Sequence, residues 1–441
     1  MSVIRSALLA AGGALALTFA TPAASAPPTA AEKVIIATVD AEQERHVKLL
    51  EDLVRVNSGT MNLKGVEQVG RMMAAELEAL GFQVKWVPMG HVGRAGHIVA
   101  THKGDGRGKR LLLIGHLDTV FEPDNPFQAW TRKGDIAEGP GVGDDKGGMV
   151  VIVAALRAMQ AAGTLKGADI TVVLTGDEEK PGAPIEAARA DLIAAGRASD
   201  VALEFEGLSR IDGKDIGTIA RRSAASWTLK TRAPSGHSSG VCMPAVGCGA
   251  IYELTRILDA FRRELPEKNL TYNVGIVVGG AQAGLNEGLT NGQAAGKSNI
   301  IAGEAMALGD IRTLTPEQDA RVRAKMQAIV AQHLDKAQAE LTFLDGAYPP
   351  MAPTPGNQAL LDKLNTVNAT LGLPAMPAGD PASRGAADSS FTAFIDSLAG
   401  LGPAGQGSHA AGESVDLASI PLQAKRAALL MTRLSREPRG K

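Results

Sequence analysis

Apolar residues at Val66, Val69, Met73, Leu77 and Leu80 recur every three or four positions, so 65–80 is predicted to be a helix with one buried stripe. The same spacing predicts a helix over 40–56. Short β-rich runs then follow at 83–87, 97–101, 111–114, 170–174 and 201–205, with a helical stretch at 149–161 between them. Strands that alternate with helices indicate an α/β sheet covered on both faces.

After Ile211-Asp212-Gly213 the pattern changes. It predicts strands at 224–231, 270–278, 300–311 and 340–344 and helices at 250–263 and 316–333, a smaller α+β insert. A Pro-rich stretch from Tyr348 to Pro355 reads as the linker back to the first domain, which supplies two more helices at 357–371 and 420–434. The expected organisation is a first domain from 27–216 and 345–441 and an inserted domain from 217–344.

The chain opens with a basic Arg5, an apolar run from Ala7 to Ala20 and the small-residue sequence Ala24-Ser25-Ala26, the order of a secretory signal peptide over 1–26. The run is about 14 residues, short of the roughly 20 that span a bilayer. We therefore expect an exported protein, periplasmic or secreted, with no membrane association once the leader is cleaved. The remaining chain of about 415 residues exceeds what one core usually holds, in keeping with two domains.

The formal net charge of −2 and the lack of any Lys/Arg cluster interleaved with aromatics argue against nucleic acid or an anionic membrane surface as a partner. Cys242 and Cys248 are the only cysteines, without the paired spacing of a thiolate zinc site. A loop between them would let them pair in an oxidising compartment and a helix would hold them apart; the balance is against pairing.

Candidate chemistry collects at strand ends and glycine-rich loops. The run Leu111-Leu112-Leu113-Ile114 ends in Gly115-His116-Leu117-Asp118, where a carboxylate two residues from an imidazole can fix its tautomer. Gly139-Pro140-Gly141-Val142-Gly143-Asp144-Asp145-Lys146-Gly147-Gly148 lets backbone pass close to an ion, although an Asp helix cap explains it equally well. Thr171 to Thr175 leads into Asp177-Glu178-Glu179, like charges that repel without a cation. Adjacent side chains there point differently, so one can ligate while its neighbour acts as a general base. Glu204 and Glu206 end a further strand, and His409 sits in Gly405-Gln406-Gly407-Ser408-His409. Two histidines and several carboxylates suit zinc. Taken singly, each stretch is as well explained by a structural His, a cap or a solvated acidic loop; together they form a constellation.

In this order, His-x-Asp, Gly-Pro-Gly-x-x-Asp-Asp-Lys-Gly-Gly, Asp-Glu-Glu, x-Phe-Glu and a late Gly-rich His, the chain resembles the co-catalytic zinc carboxypeptidases and aminoacylases, nearest to the glutamate carboxypeptidase (carboxypeptidase G-like) branch. The insert adds Gly236-His237-Ser238, Ser298-Asn299-Ile300-Ile301 and Asp310-Ile311-Arg312. The resemblance implies a mixed-sheet zinc catalytic domain with an inserted ferredoxin-like lid and dimerisation domain, a homodimer, and two Zn2+ per subunit. It implies that Asp144 bridges the ions, with His116 and Glu206 on one, Glu179 and His409 on the other, Glu178 as general base and Asp118 orienting His116. His237, Asn299 and Arg312 are implied to hold substrate, His237 at the neighbouring subunit's site.

Two places depart from that pattern. Pro181-Gly182 stiffens the segment after Asp-Glu-Glu, and Arg384 stands in Ser383-Arg384-Gly385-Ala386 where a glycine-rich run is usual, so Arg384 is expected to add a contact to a substrate carboxylate. The expected reaction is hydrolysis of an amide next to a free carboxylate, releasing a C-terminal glutamate. An N-acyl amino acid amidohydrolase or dipeptidase is the alternative within the same chemistry, and a non-catalytic exported binding protein the alternative outside it.

Overall fold

The fold is described from a computed structural model covering residues 27–439, so the leader expected at 1–26 lies outside the described residues. Its larger sheet has six strands in the spatial order Gln83–Pro88, Gly96–His102, Asp169–Thr175, Arg110–His116, Val201–Glu204, Asp396–Leu398. The last four run parallel and the first two antiparallel to their neighbours, giving a mixed sheet. Arg110–His116 lies at its centre and is buried at every position after the first. That explains its unbroken apolar run: a strand covered on both faces has no polar side to alternate with.

One face of this sheet packs on the helix Lys146–Ala161, itself almost wholly buried, with Ser419–Leu434 and Ala30–Ala41 beyond it. Leu192 and Ala195 of the helix Ala190–Arg197 cover the other face against Leu112, Ile114 and Val173. The helix expected over 40–56 runs Gln43–Val54, and a helix that was not expected, Ala30–Ala41, precedes it, the two broken at Glu42. Thr29 and Glu32 start the first with a reciprocal capping box, a signal present in the sequence as Thr-x-x-Glu. At the break, the Glu42 side chain pairs with Arg157 at 2.6 and 2.8 Å.

The strands Thr271–Gly280, Glu304–Arg312, Ala225–Arg232 and Gln338–Phe343 form a second, fully antiparallel sheet in that order. With the helices Ala250–Glu264 and Pro316–Val330 the chain order is strand, helix, strand, strand, helix, strand, a ferredoxin-like α+β arrangement. It has a core of its own around Trp227, Leu229, Phe261, Ala307 and Met326, where Trp227 and Phe261 meet edge to face at 5.9 Å. Gly309 must lack a side chain, because a Cβ there would come within 2.3 Å of the Trp227 ring.

The strand expected from 300 begins at Glu304, and a hairpin of Gln282–Leu285 and Gly292–Ala295 precedes it, too rich in glycine and small residues to show in the hydrophobic pattern. The two crossings between the sheets pair with each other, Arg221 with Met351 and Ala224 with Tyr348. Cys242 and Cys248 are joined in a disulfide, against expectation. No helix separates them: Pro244 interrupts the segment, Gly247 takes φ 78°, and the Cys242 N–H returns to the Gly247 carbonyl at 2.9 Å. Among the described residues no helix is long and apolar enough to cross a membrane.

Candidate metal centre

Three adjacent parallel strands, Asp169–Thr175, Arg110–His116 and Val201–Glu204, end side by side, and side chains at and just beyond their C-terminal ends converge there. His116 closes the central strand. Glu178 and Glu179 follow the strand on one side, Glu206 the strand on the other. The loop before the helix Lys146–Ala161 brings in Asp144, and the loop between Gly405–Gln406 and Ser414–Asp416 brings in His409.

Asp144 is the hub. Its Oδ1 lies 3.1 Å from His116 Nε2 and its Oδ2 3.2 Å from His409 Nε2, so the two imidazoles take opposite oxygens of one carboxylate. His409 Nε2 also meets Glu179 Oε2 at 3.1 Å. Burial opposes a charge on His116, but hydrogen bonds to Asp118 and Asp144 raise its pKa well above the ordinary histidine value. Hydrogen bonds to Asp144 and Glu179 push His409 up to about 11. Despite its burial, Asp144 is held far below the usual carboxylate range by the same two histidines. Asp144 is thus the carboxylate that the two histidines share, whereas burial raises Glu179.

The neighbouring Asp145 does something else. It is fully buried and accepts the His116 backbone N–H at 3.2 Å, and Gly115 and Gly148 leave it room, since a Cβ at either would come within 2.6 and 2.1 Å of its carboxylate. Asp118 is also fully buried. It accepts the Thr60 hydroxyl at 2.6 Å and the backbone N–H groups of Glu178 and Glu179 at 3.0 and 3.1 Å, and its Oδ1 is 3.5 Å from His116 Nδ1. The hydrogen-bond partner of His116 Nδ1 is the Asp118 backbone carbonyl, at 3.1 Å, so Asp118 meets the imidazole mainly through its carbonyl and the acidic loop through its carboxylate. Burial pushes the Glu178 carboxyl well above its ordinary value, His116 working against this and the nearby carboxylates with it.

Glu206 faces the same pocket of about 230 Å3, whose walls include Asp144, Glu178, Arg221, Arg384 and His409. It accepts from Arg221 Nη2 at 2.7 Å, and the same nitrogen lies 2.6 Å from Glu204 Oε2. Desolvation raises Glu206 to about 7 against the opposing pull of Arg221. Arg384 donates from Nη2 to the Gly207 carbonyl at 2.9 Å, and its buried Nε has no partner among the described residues.

The other three expected residues do not line this pocket. His237 is exposed with its Nδ1 on Ser239 Oγ at 2.9 Å, and Asn299 lies beside it, its carbonyl accepting the Ser238 N–H. Arg312 pairs with Asp310 at 3.1 Å and points toward Gly385, next to Arg384.

The donor set fits divalent metal. His116, Glu178 and Glu179 form one group whose ligand atoms lie within 4.8 Å of one another; Asp144, Glu179 and His409 form another. Imidazole nitrogens mixed with carboxylate oxygens are borderline ligands of the zinc type, and one carboxylate facing a histidine on each side is the arrangement that can serve two ions.

Sequence reasoning missed Glu413, whose buried carboxylate accepts the N–H groups of Gly141, Gly143 and Asp144 at 3.2, 2.8 and 3.0 Å. It also missed Arg221 and Tyr348. A Glu four residues past His409 and an Arg-Arg pair at 221–222 stand in the sequence, but neither motif says which backbone it serves.

The model of the peptidase family M20/M25/M40 matches residues 112–433, from the central strand of the larger sheet to the last helix. This chain belongs to peptidase family M20/M25/M40. The M20 assignment makes it a metallopeptidase, a hydrolase on the mixed α/β fold of its relatives. Carboxypeptidase G2 of Pseudomonas sp. (strain RS-16) is 29% identical over 412 residues, covering 91% of this chain and 92% of that protein. Succinyl-diaminopimelate desuccinylase of Gluconobacter oxydans (strain 621H) is 25% identical over 382 residues, 85% of this chain and 93% of that one. Among solved structures, the Bacillus subtilis YXEP protein, described as a dinuclear metal binding peptidase from the M20 family, superposes with a TM-score of 0.60 at 16% identity, covering 89% of this chain and 98% of that one.

Proposed function

We propose that this M20 enzyme is an exported two-zinc exopeptidase that cuts the amide bond before a C-terminal glutamate. The observation that carries the glutamate reading is Arg384: its guanidinium lies in the wall of the pocket that holds Asp144 and Glu178, anchored there by Nη2 on the Gly207 carbonyl. A fixed guanidinium beside carboxylates that would be neutralised by metal favours a substrate bringing more than one carboxylate. The likeness to Carboxypeptidase G2 over 91% of the chain supports the same reading.

In this reading His116, Asp144 and Glu206 hold one zinc ion, and Asp144, Glu179 and His409 the other. When bound, the ions supply Lewis-acid polarisation of the scissile carbonyl and make water more acidic. The protein's own work is positional and protonic. Glu178 takes the proton of the attacking water on its carboxylate and returns it to the leaving nitrogen, whose bond to the carbonyl carbon breaks. Asp118 keeps the His116 ring oriented through its backbone carbonyl and fixes the Glu178 backbone with its carboxylate. Arg384 holds a carboxylate of the released residue.

The small sheet is the lid and the dimerisation surface in the same proposal. Among the described residues its edge strand Thr271–Gly280 has one free side, and Val277 on it and Tyr252 nearby are 55% and 59% exposed, which suits pairing with a second copy. His237 and Asn299, which stand outside the pocket of their own chain, would then serve the partner's.

The desuccinylase relative favours a second reading, an N-acyl amino acid amidohydrolase. Peptides and folate-like conjugates ending in glutamate, N-acyl amino acids and dipeptides should be compared with zinc, with chelator, and with Glu178→Gln. Glutamate release that needs both metal and Glu178 is expected. Preference for simple acyl groups would move the assignment to the second reading, and no turnover of any amide by the metal-loaded protein would leave a binding protein.

A further inference from the structure

Each strand of the ribbon that joins the two sheets sends a buried side chain to the candidate metal centre, Arg221 from one and Tyr348 from the other. On the first crossing Arg221, 2% exposed, contacts Glu206 at 2.7 Å and Glu204 at 2.6 Å. On the return crossing Tyr348, 8% exposed, donates its hydroxyl proton to the Glu178 carbonyl at 2.9 Å. The crossings are locked to each other by reciprocal backbone bonds, Arg221 with Met351 at 2.9 Å both ways and Ala224 with Tyr348 at 3.1 and 2.8 Å.

The Tyr348 hydroxyl is itself anchored. It accepts from Arg189 Nη2 at 2.6 Å, and Arg189 is fully buried between Asp177 at 2.6 Å and Asp388 at 2.7 Å. Asp388 in turn takes the hydroxyl of Thr175, the last residue of its strand, at 2.5 Å. A line of hydrogen bonds thus runs from the end of that strand through Asp388, Arg189 and Tyr348 to the Glu178 carbonyl, while Asp118 holds the Glu178 N–H from the other side. A charged donor on a hydroxyl strengthens the bond the hydroxyl donates. The ring is packed separately, edge to face on Phe391 at 4.9 Å.

We propose that this ribbon aligns the reaction machinery, with Tyr348 as the positioning residue for Glu178 and Arg221 as the positioning residue for Glu206. The inference rests on the reading of Glu178 as base and Glu206 as ligand. Its consequence is that the small sheet and the reacting groups are set by one element: any shift of the ribbon moves both.

The test uses the full chain loaded with zinc and a glutamate-releasing substrate. Tyr348→Phe keeps the ring and removes only the hydroxyl. It is expected to lower kcat about 10-fold or more, with KM and zinc content within twofold of the parent. Phe391→Leu disturbs the packing of the ring and keeps the hydroxyl, so it is expected to lower thermal stability without the kcat loss. Arg221→Lys, followed by zinc competition with a chromogenic chelator, is expected to weaken one of the two sites about 10-fold and spare the other.

Tyr348→Phe with kcat within twofold of the parent overturns the proposal. So does a kcat loss matched by lost zinc, an equal kcat loss in Phe391→Leu, or two unchanged zinc sites in Arg221→Lys. Full activity in Glu178→Gln would instead defeat the reading of the base on which the proposal stands; an inactive Glu178→Gln beside a fully active Tyr348→Phe defeats this inference alone.

Discussion

The carboxylate of Glu413 lies beneath the loop that carries Asp144 and receives the Asp144 backbone N–H at 3.0 Å. With the Gly141 and Gly143 donors it fills a small anion-binding concavity of backbone N–H groups, and because Glu413 follows His409 by four residues it ties one candidate ligand loop to another. Glu413→Gln should therefore weaken zinc binding about 10- to 100-fold without removing any ligand, measured by chelator competition. Unchanged affinity would show that the loop holds its shape without the carboxylate.

Asp144 faces both histidines and His409 only one side of the cluster. Asp144→Asn should cost the protein both ions, and His409→Ala one. Metal content after exhaustive dialysis, read by atomic absorption, decides it; equal losses in the two variants would remove Asp144 from the bridging position.

Arg384 should govern which residue is released. Arg384→Met is expected to raise KM about 10- to 100-fold for substrates ending in glutamate and to change it little for those ending in alanine, with kcat less affected. A uniform effect on both would assign Arg384 to the shape of the pocket, not to its selectivity.

Metal should also stabilise the fold. The cluster exists only in the folded chain, so zinc at about 100 times its Kd should add about 2.7 kcal/mol by mass action. Differential scanning calorimetry with and without chelator measures this, and a transition temperature indifferent to zinc would argue against any resident ion.

His46 gives a pH signature away from the site. It is 1% exposed, neither ring nitrogen has a hydrogen-bond partner among the described residues, and desolvation lowers it to about 4, with Glu42 opposing. The folded pKa lies below the unfolded value, so the unfolded chain binds the proton first as pH falls. Stability is intact above about 6.5 and is lost progressively down to about 4, by roughly 3 kcal/mol from this group. His46→Leu should flatten that part of the stability curve in urea titrations at pH 7 and pH 5; the same slope in both proteins would place the acid sensitivity elsewhere.

How much of this could be read from the chain alone depended on whether a residue acts through its side-chain type or through someone else's backbone. His116, Asp144, Glu178, Glu179 and His409 stood out because an apolar strand or a glycine-rich loop led straight into a metal-ligand side chain, and the structure brings these five into one cluster. Glu413 and Tyr348 act on backbone N–H and C=O groups contributed by distant segments, and no local pattern marks such partners. The larger sheet was legible where burial on both faces made unbroken apolar runs. The hairpin at 282–295 was not, because its alanines and glycines carry no period, and the disulfide was missed because a seven-residue segment gave too little pattern to tell a turn from a helix.

By holding His116 on one oxygen and His409 on the other, Asp144 closes the chain into a loop that contains the whole small sheet. The entropic cost of closing a flexible loop grows only with the logarithm of its length, about 0.6 kcal/mol for each doubling. Additions such as the 282–295 hairpin therefore weigh little on the closure of the metal centre. The small-sheet segment 225–343, which carries none of the proposed metal ligands, is where this architecture can lengthen, shorten or remodel its chain for a new substrate while the ends of the loop stay where the chemistry needs them.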